Sequence, residues 1–201
     1  TYALFYLAEA TPVAGLGYAA LRDAAAWLKH DKASVAKVKH TYAFGSSQCG
    51  RFLRDFLYLG FNTDEKDRAV LDGVIPHIAG AGRLVLNQRW STPRAVSGYY
   101  TASYPFADRA LHDPISGQTD GILDNPRVKH LPKIFNINMA AEYWGGGRVG
   151  ALTHTTPDGK QDVTLPENVR SYFYSSTSHG AAAFPPTSQG KGSPLANPIH
   201  T

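Results

Sequence analysis

The run VKHTYAFGSSQCGRFLRDFLYLG, residues 38–60, contains two elements and the turn that joins them. Residues 38–44 read as a strand. Residues 49–60 read as a helix, because Phe52, Leu53, Phe56, Leu57 and Leu59 form a wide apolar stripe at helical spacing. Between them lies Gly45-Ser46-Ser47-Gln48-Cys49, which fits Gly-x-Ser-x-small, the pattern of a nucleophile elbow. A serine at the apex of so sharp a strand-to-helix turn is lifted clear of the sheet. Small residues on either side let strand and helix approach closely, with Gly45 as the first and Cys49 as the second. The N-terminus of the helix then points at the site, and its N–H groups favour a developing negative charge. The five-residue pattern alone is common, and an ordinary strand-helix turn would also satisfy it. Its position between an apolar strand and an amphipathic helix gives it weight.

The flanking sequence continues the alternation. Upstream, residues 2–8 read as a strand, and residues 16–30 as a helix with Leu21, Ala25 and Leu28 on one face. Downstream, a strand falls within residues 69–79. Residues 80–130 are rich in Gly, Pro, Asp, Ser and Tyr and form a long cap-like excursion. Strands follow at 133–139 and 169–175, with a short helix within 145–156, and residues 180–201 form a tail with no clear element. Strand-helix alternation of this kind predicts an α/β fold: a mostly parallel sheet with helices on both faces and ligands at the carboxyl ends of its strands.

Composition sets the outer limits. The chain has 201 residues, 43% hydrophobic and 18% charged, which suits one globular domain. Its net charge of +4 is scattered, and no Lys/Arg cluster marks a nucleic-acid surface. No apolar run is long enough to span a bilayer. A single cysteine, Cys49, excludes an internal disulfide and a Cys-rich zinc site. No His/Asp/Glu set has metal-ligand spacing and no Gly-rich phosphate loop is present, so no cofactor is expected.

A serine nucleophile needs a base, and the base needs an orienting acid. The strand at 133–139 is followed by Ala140-Ala141-Glu142-Tyr143-Trp144, and the strand at 169–175 by Ser176-Thr177-Ser178-His179-Gly180. Glu142 and His179 thus fall just past two strand ends, on the same edge as Ser47. Ser47 is the expected nucleophile, His179 the base, Glu142 the acid and the Gln48 N–H an oxyanion donor. Asp108, Asp113 and Asp120 are rival acids, and the other histidines read as surface or packing residues. Cys49 is a weaker candidate nucleophile. It is expected to be a small side chain packed against the neighbouring strand. Trp90, Tyr99, Tyr104 and Trp144 are candidates for an apolar substrate pocket.

The run GSSQCGRFLRDFLYLGFN resembles the elbow of a bacterial family of α/β-hydrolase domain proteins, in which a Gly-x-Ser-Gln-Ser-Gly-Arg-Phe-like run is typical. VAGLGYAALRD resembles that family's helix before the elbow, and AEYWGGGRVGALTH and SYFYSSTSHG resemble its acid and histidine segments. The likeness spans nearly the whole chain, with Cys49 where the family usually has Ser. It implies an α/β-hydrolase fold and a serine esterase acting on a small-molecule ester through Ser47, His179 and Glu142. It also implies that residues 1–201 correspond to the C-terminal part of a longer catalytic domain. An N-terminal segment, covalent or in another chain, would then complete the sheet and supply the second oxyanion donor. A catalytically silent binding domain and an acyltransferase with the same three residues are the alternatives.

Overall fold

The computed structural model describes residues 9, 13–84, 86, 104–145, 149–175 and 177–180. The strand expected over residues 2–8, the tail beyond Gly180, and Trp90 and Tyr99 lie outside the described residues.

Helix α1 (Leu16–His30) matches the span expected from its apolar spacing, with Tyr18 and Ala25 buried and Lys29 and His30 in the last turn, where cations suit the helix dipole. Strand β1 (Tyr42–Ser46) leads through Ser47 into helix α2 (Gln48–Tyr58), and strand β2 (Gly73–His77) follows. The excursion carries a small antiparallel hairpin, β3 (Leu111–His112) and β4 (Thr119–Asp120). Strand β5 (Lys133–Met139) runs directly into the short helix α3 (Ala140–Trp144). A 3₁₀ turn (Gly150–Thr153) stands where a short helix was expected, and strand β6 (Val169–Tyr174) completes the order.

The four longer strands form one sheet in the order β1-β2-β5-β6, and every pairing is parallel. This is the α/β architecture that the alternation predicted. Parallel pairing puts all four carboxyl ends on one edge: Ser46 lies opposite His77, His77 opposite Ile137, and Met139 opposite Tyr174. Residues just after β1, β5 and β6 therefore share that edge.

Strand β1 begins at Tyr42 rather than Val38 because its ladder begins at Gly73. The residues before it are tied down differently. The Thr41 N–H donates to Asp72 at 2.8 Å, and the same carboxylate accepts from Lys29 at 2.8 Å.

One face of the sheet packs on the helices. Val74, Ile134 and Val169 join Tyr18, Leu53, Phe56 and Leu57 in a single buried cluster. Alternate residues point the other way, and Tyr42, Phe44, Phe135 and Tyr172 are exposed there. Among the described residues, β1 pairs with β2 alone, so its outer edge carries no ladder. No helix among the described residues is long and apolar enough to cross a membrane.

Helix α2 is buried nearly all round, including charges that its apolar stripe does not announce: Arg51, Arg54 and Asp55. Arg54 faces Asp108 at 3.8 Å, both side chains 2% exposed, and donates to the Phe106 carbonyl. Asp55 accepts from Tyr18 at 3.0 Å and pairs with Arg83 at 3.3 Å. Burial pushes the Asp108 carboxyl up from its usual range, and Arg54 opposes that. These pairs pin the excursion onto α2.

Candidate active site

Ser47 stands alone between β1 and α2 with φ 56° and ψ −113°, a left-handed backbone that non-glycine residues seldom adopt. Several contacts hold it there. Its N–H donates to the His77 carbonyl at 2.8 Å, and its own carbonyl accepts from Arg51 N–H at 3.1 Å. Ile78, next along from His77, also has a positive φ, 46°, and donates its N–H to Ile137 at 2.6 Å. Two strained residues thus adjoin at the carboxyl edge, a common feature of functional sites.

The close approach of strand and helix falls on glycines. A Cβ on Gly45 would meet the Cys49 carbonyl, and one on Gly50 would meet Ala79 and the carbonyls of Gly45 and His77. This corrects the expectation for Cys49. Its side chain is exposed and does not pack against the next strand. Gly50, one residue later, takes that tight position instead.

Ser47 Oγ lies 2.9 Å from His179 Nε2. His179 Nδ1 is hydrogen-bonded to Glu142 Oε1. The Glu142 side chain is 2% exposed and that of His179 is 42% exposed, so the carboxylate is buried and the imidazole opens to solvent. Glu142 sits on α3, the short helix into which β5 runs. His179 lies five residues past the end of β6, in a loop shaped by Thr177 Oγ1 donating to the Tyr174 carbonyl and Ser178 Oγ to the Gly180 carbonyl, both at 2.7 Å. Three residues expected from strand ends 132 positions apart are thereby brought together. Gln48 opens α2, where first-turn N–H groups have no acceptor within the helix.

The rival acids have other partners. Asp108 pairs with Arg54, Asp113 accepts from the N–H and hydroxyl of Ser116, and Asp120 accepts from Tyr58 Oη at 2.7 Å. Tyr104, an expected pocket residue, turns its hydroxyl into the hairpin, where it meets the N–H and carbonyl of Asp120 at 2.8 Å each. Trp144 is different. It is 73% exposed, two residues past Glu142, with its ring edge-on to Tyr143 at 4.8 Å and to Phe173 at 6.2 Å. Tyr143 Oη in turn is bonded to His154 Nε2 at 2.9 Å.

One neighbour was missed by sequence reasoning, which placed His77 among surface and packing histidines. Its Nδ1 lies 3.1 Å from Ser46 Oγ. Burial lowers its pKa from the usual imidazole value. The nearby Glu142 carboxylate opposes that and His179 adds to it. A signal was present: in a parallel sheet the last residue of the strand after an elbow sits beside the elbow. Among the described residues, no group of three or more His, Cys, Asp or Glu side chains is placed to hold a metal ion.

No curated protein and no solved structure matches the chain. A family described as an alpha/beta hydrolase domain matches it over residues 2–198. With a parallel sheet, a serine at a strained strand-to-helix turn and a match of that extent, the chain belongs to the alpha/beta hydrolase domain family.

Proposed function

We propose that the protein is a serine hydrolase that cleaves carboxylic esters through an acyl-enzyme on Ser47. The observation that supports this most is the chain of contacts from Ser47 Oγ to His179 Nε2, 2.9 Å, and from His179 Nδ1 to the buried Glu142. Ser47 Oγ attacks the ester carbonyl while His179 Nε2 takes its proton. Glu142 holds the imidazole with Nδ1 protonated and stabilises the imidazolium that forms. The oxyanion is met by the Gln48 N–H at the start of α2. His179 then returns the proton to the departing alcohol. Water attacks the acyl-enzyme by the same route in reverse, releasing the acid and restoring Ser47.

Trp144 supplies an apolar wall for the ester in this reading, since an exposed ring braced by two others offers a flat surface beside Glu142. A further strand beside β1 comes from a segment N-terminal to α1, in this chain or another, and the loop after that strand gives the second oxyanion N–H.

The test is labelling with a fluorophosphonate, followed by intact mass and peptide mapping. One adduct on Ser47 is expected, with none on Ser47→Ala and no change in that variant's folding. A folded protein that takes no adduct, or takes it on Cys49, would overturn the reading.

A further inference from the structure

His77 occupies the last ladder position of β2, opposite Ser46. It holds two residues of the elbow. Its carbonyl accepts the Ser47 N–H at 2.8 Å, and its ring Nδ1 lies 3.1 Å from Ser46 Oγ. The ring also stands against Phe44, 5.6 Å between centroids. So the residue at the strained apex and the one before it are fixed by a single residue on the next strand. A backbone such as that of Ser47 persists only where its surroundings over-determine it, and His77 supplies two of those constraints.

We propose that His77 is a positioning residue for the nucleophile: by gripping Ser46 with its ring and Ser47 with its carbonyl, it keeps Ser47 Oγ on His179 Nε2, and it does so as a neutral imidazole. This rests on the esterase reading above. With the ring proton on Nε2, the Ser46 hydroxyl donates to Nδ1. Protonating His77 removes that acceptor. It also places a positive charge near the imidazolium that His179 must become. The groups around His77 are uncharged Ser46 and Phe44 on β1 and Ile137 on β5, with Glu142 on α3 and His179 after β6 as the ionisable ones. Burial and His179 disfavour the charged ring and only Glu142 favours it, so the neutral form is the resting one.

The experiment measures the rate at which a fluorophosphonate labels Ser47, between pH 5 and pH 9, for the unaltered protein, Ser46→Ala, His77→Phe and His77→Asn. Asparagine keeps a polar atom near the Nδ1 position and cannot titrate. His77→Phe and Ser46→Ala should label roughly 10-fold more slowly or worse, since small misplacements of a nucleophile are expensive. His77→Asn should recover most of the rate. At the acid end the unaltered protein should lose rate more steeply than His77→Asn, whose side chain does not titrate. Should His77→Phe not fold, Ser46→Ala and His77→Asn carry the comparison. Equal rates in these variants, or the same acid slope with and without His77, would overturn the positioning role while leaving the esterase reading intact. No labelling of the unaltered protein would overturn both.

Discussion

Replacing Gly45 with alanine should separate strand from helix at the elbow. A methyl on Gly45 would lie 2.4 Å from the Cys49 carbonyl oxygen, 2.6 Å from its carbon and 2.9 Å from Leu53 Cδ1, where ordinary contact begins at 3.4 Å. The first turn of α2 must therefore withdraw by about 1 Å. Two of the three atoms are main chain, so no rotamer change relieves the clash. The loss of unfolded-state entropy on going from Gly to Ala favours folding by only about 0.4–1 kcal/mol. Overpacking of this kind costs about 1–3 kcal/mol, and a clash with backbone belongs at the top of that range. The net expectation is destabilisation by about 2 kcal/mol. The same 1 Å retreat carries Ser47 away from His179, and a displacement of that size costs roughly 100-fold in rate. Urea unfolding followed by tryptophan fluorescence reads the first effect, and fluorophosphonate labelling reads the second. Gly145→Ala is the control: its φ of −177° is extended and nothing among the described residues lies within 4 Å of its Cβ position, so its midpoint should not move. A Gly45→Ala midpoint equal to or above that of the unaltered protein would refute the reasoning.

Glu142→Gln should lower ester turnover by roughly 100- to 10,000-fold, because an amide stabilises the imidazolium poorly and disturbs the tautomer. Its unfolding midpoint should stay close to the original, and steady-state kinetics beside urea titration separate the two. Asp108→Asn removes the buried carboxylate that faces Arg54 at 3.8 Å. It should destabilise by about 3 kcal/mol or more in urea, and a shift under 1 kcal/mol would mean the pair is not the anchor of the excursion. Asp64 titrates at about 2: burial pushes its carboxyl up, but hydrogen bonds from the Arg68 side chain and from the N–H groups of Arg68 and Lys66 outweigh this. Its folded pKa lies below the unfolded one, so its stabilisation is present above about pH 4 and lost as pH falls towards 2. With Arg68 partly solvated, the amount is about 1 kcal/mol. Asp64→Asn should therefore be less stable than the unaltered protein at pH 6 and indistinguishable from it near pH 2, by urea titration at both.

Most of the regular elements were legible because their information is local. The apolar spacing of residues 16–30 yields α1 at its observed bounds, and the run KIFNINM yields β5 likewise. Where the reading slipped, a partner set the outcome. The start of β1 moved to Tyr42 because Gly73 is where its ladder begins. Helix α3 went unread because five residues carry too little periodicity to register. Its formation depends on the chain turning at the sheet edge, with Glu142 going inward and Tyr143 going onto Phe173. Cys49 was assigned the close contact that Gly50 makes, because a one-residue difference in where a helix touches a strand does not show in composition.

By itself, the sequence determined a parallel α/β arrangement and the positions of Ser47, Glu142 and His179 past strand ends, since element type and chain order follow from short-range periodicity. The tertiary structure alone decided that the His179 ring comes within reach of Ser47 Oγ and that the Glu142 carboxylate reaches the other nitrogen of that ring. It alone decided that Arg51, Arg54 and Asp55 are buried on α2, and that His77 stands beside the elbow. The reason is physical. A buried charge or a three-residue contact depends on which groups a parallel register and a packed helix bring within about 3 Å, and no window along the chain contains both partners.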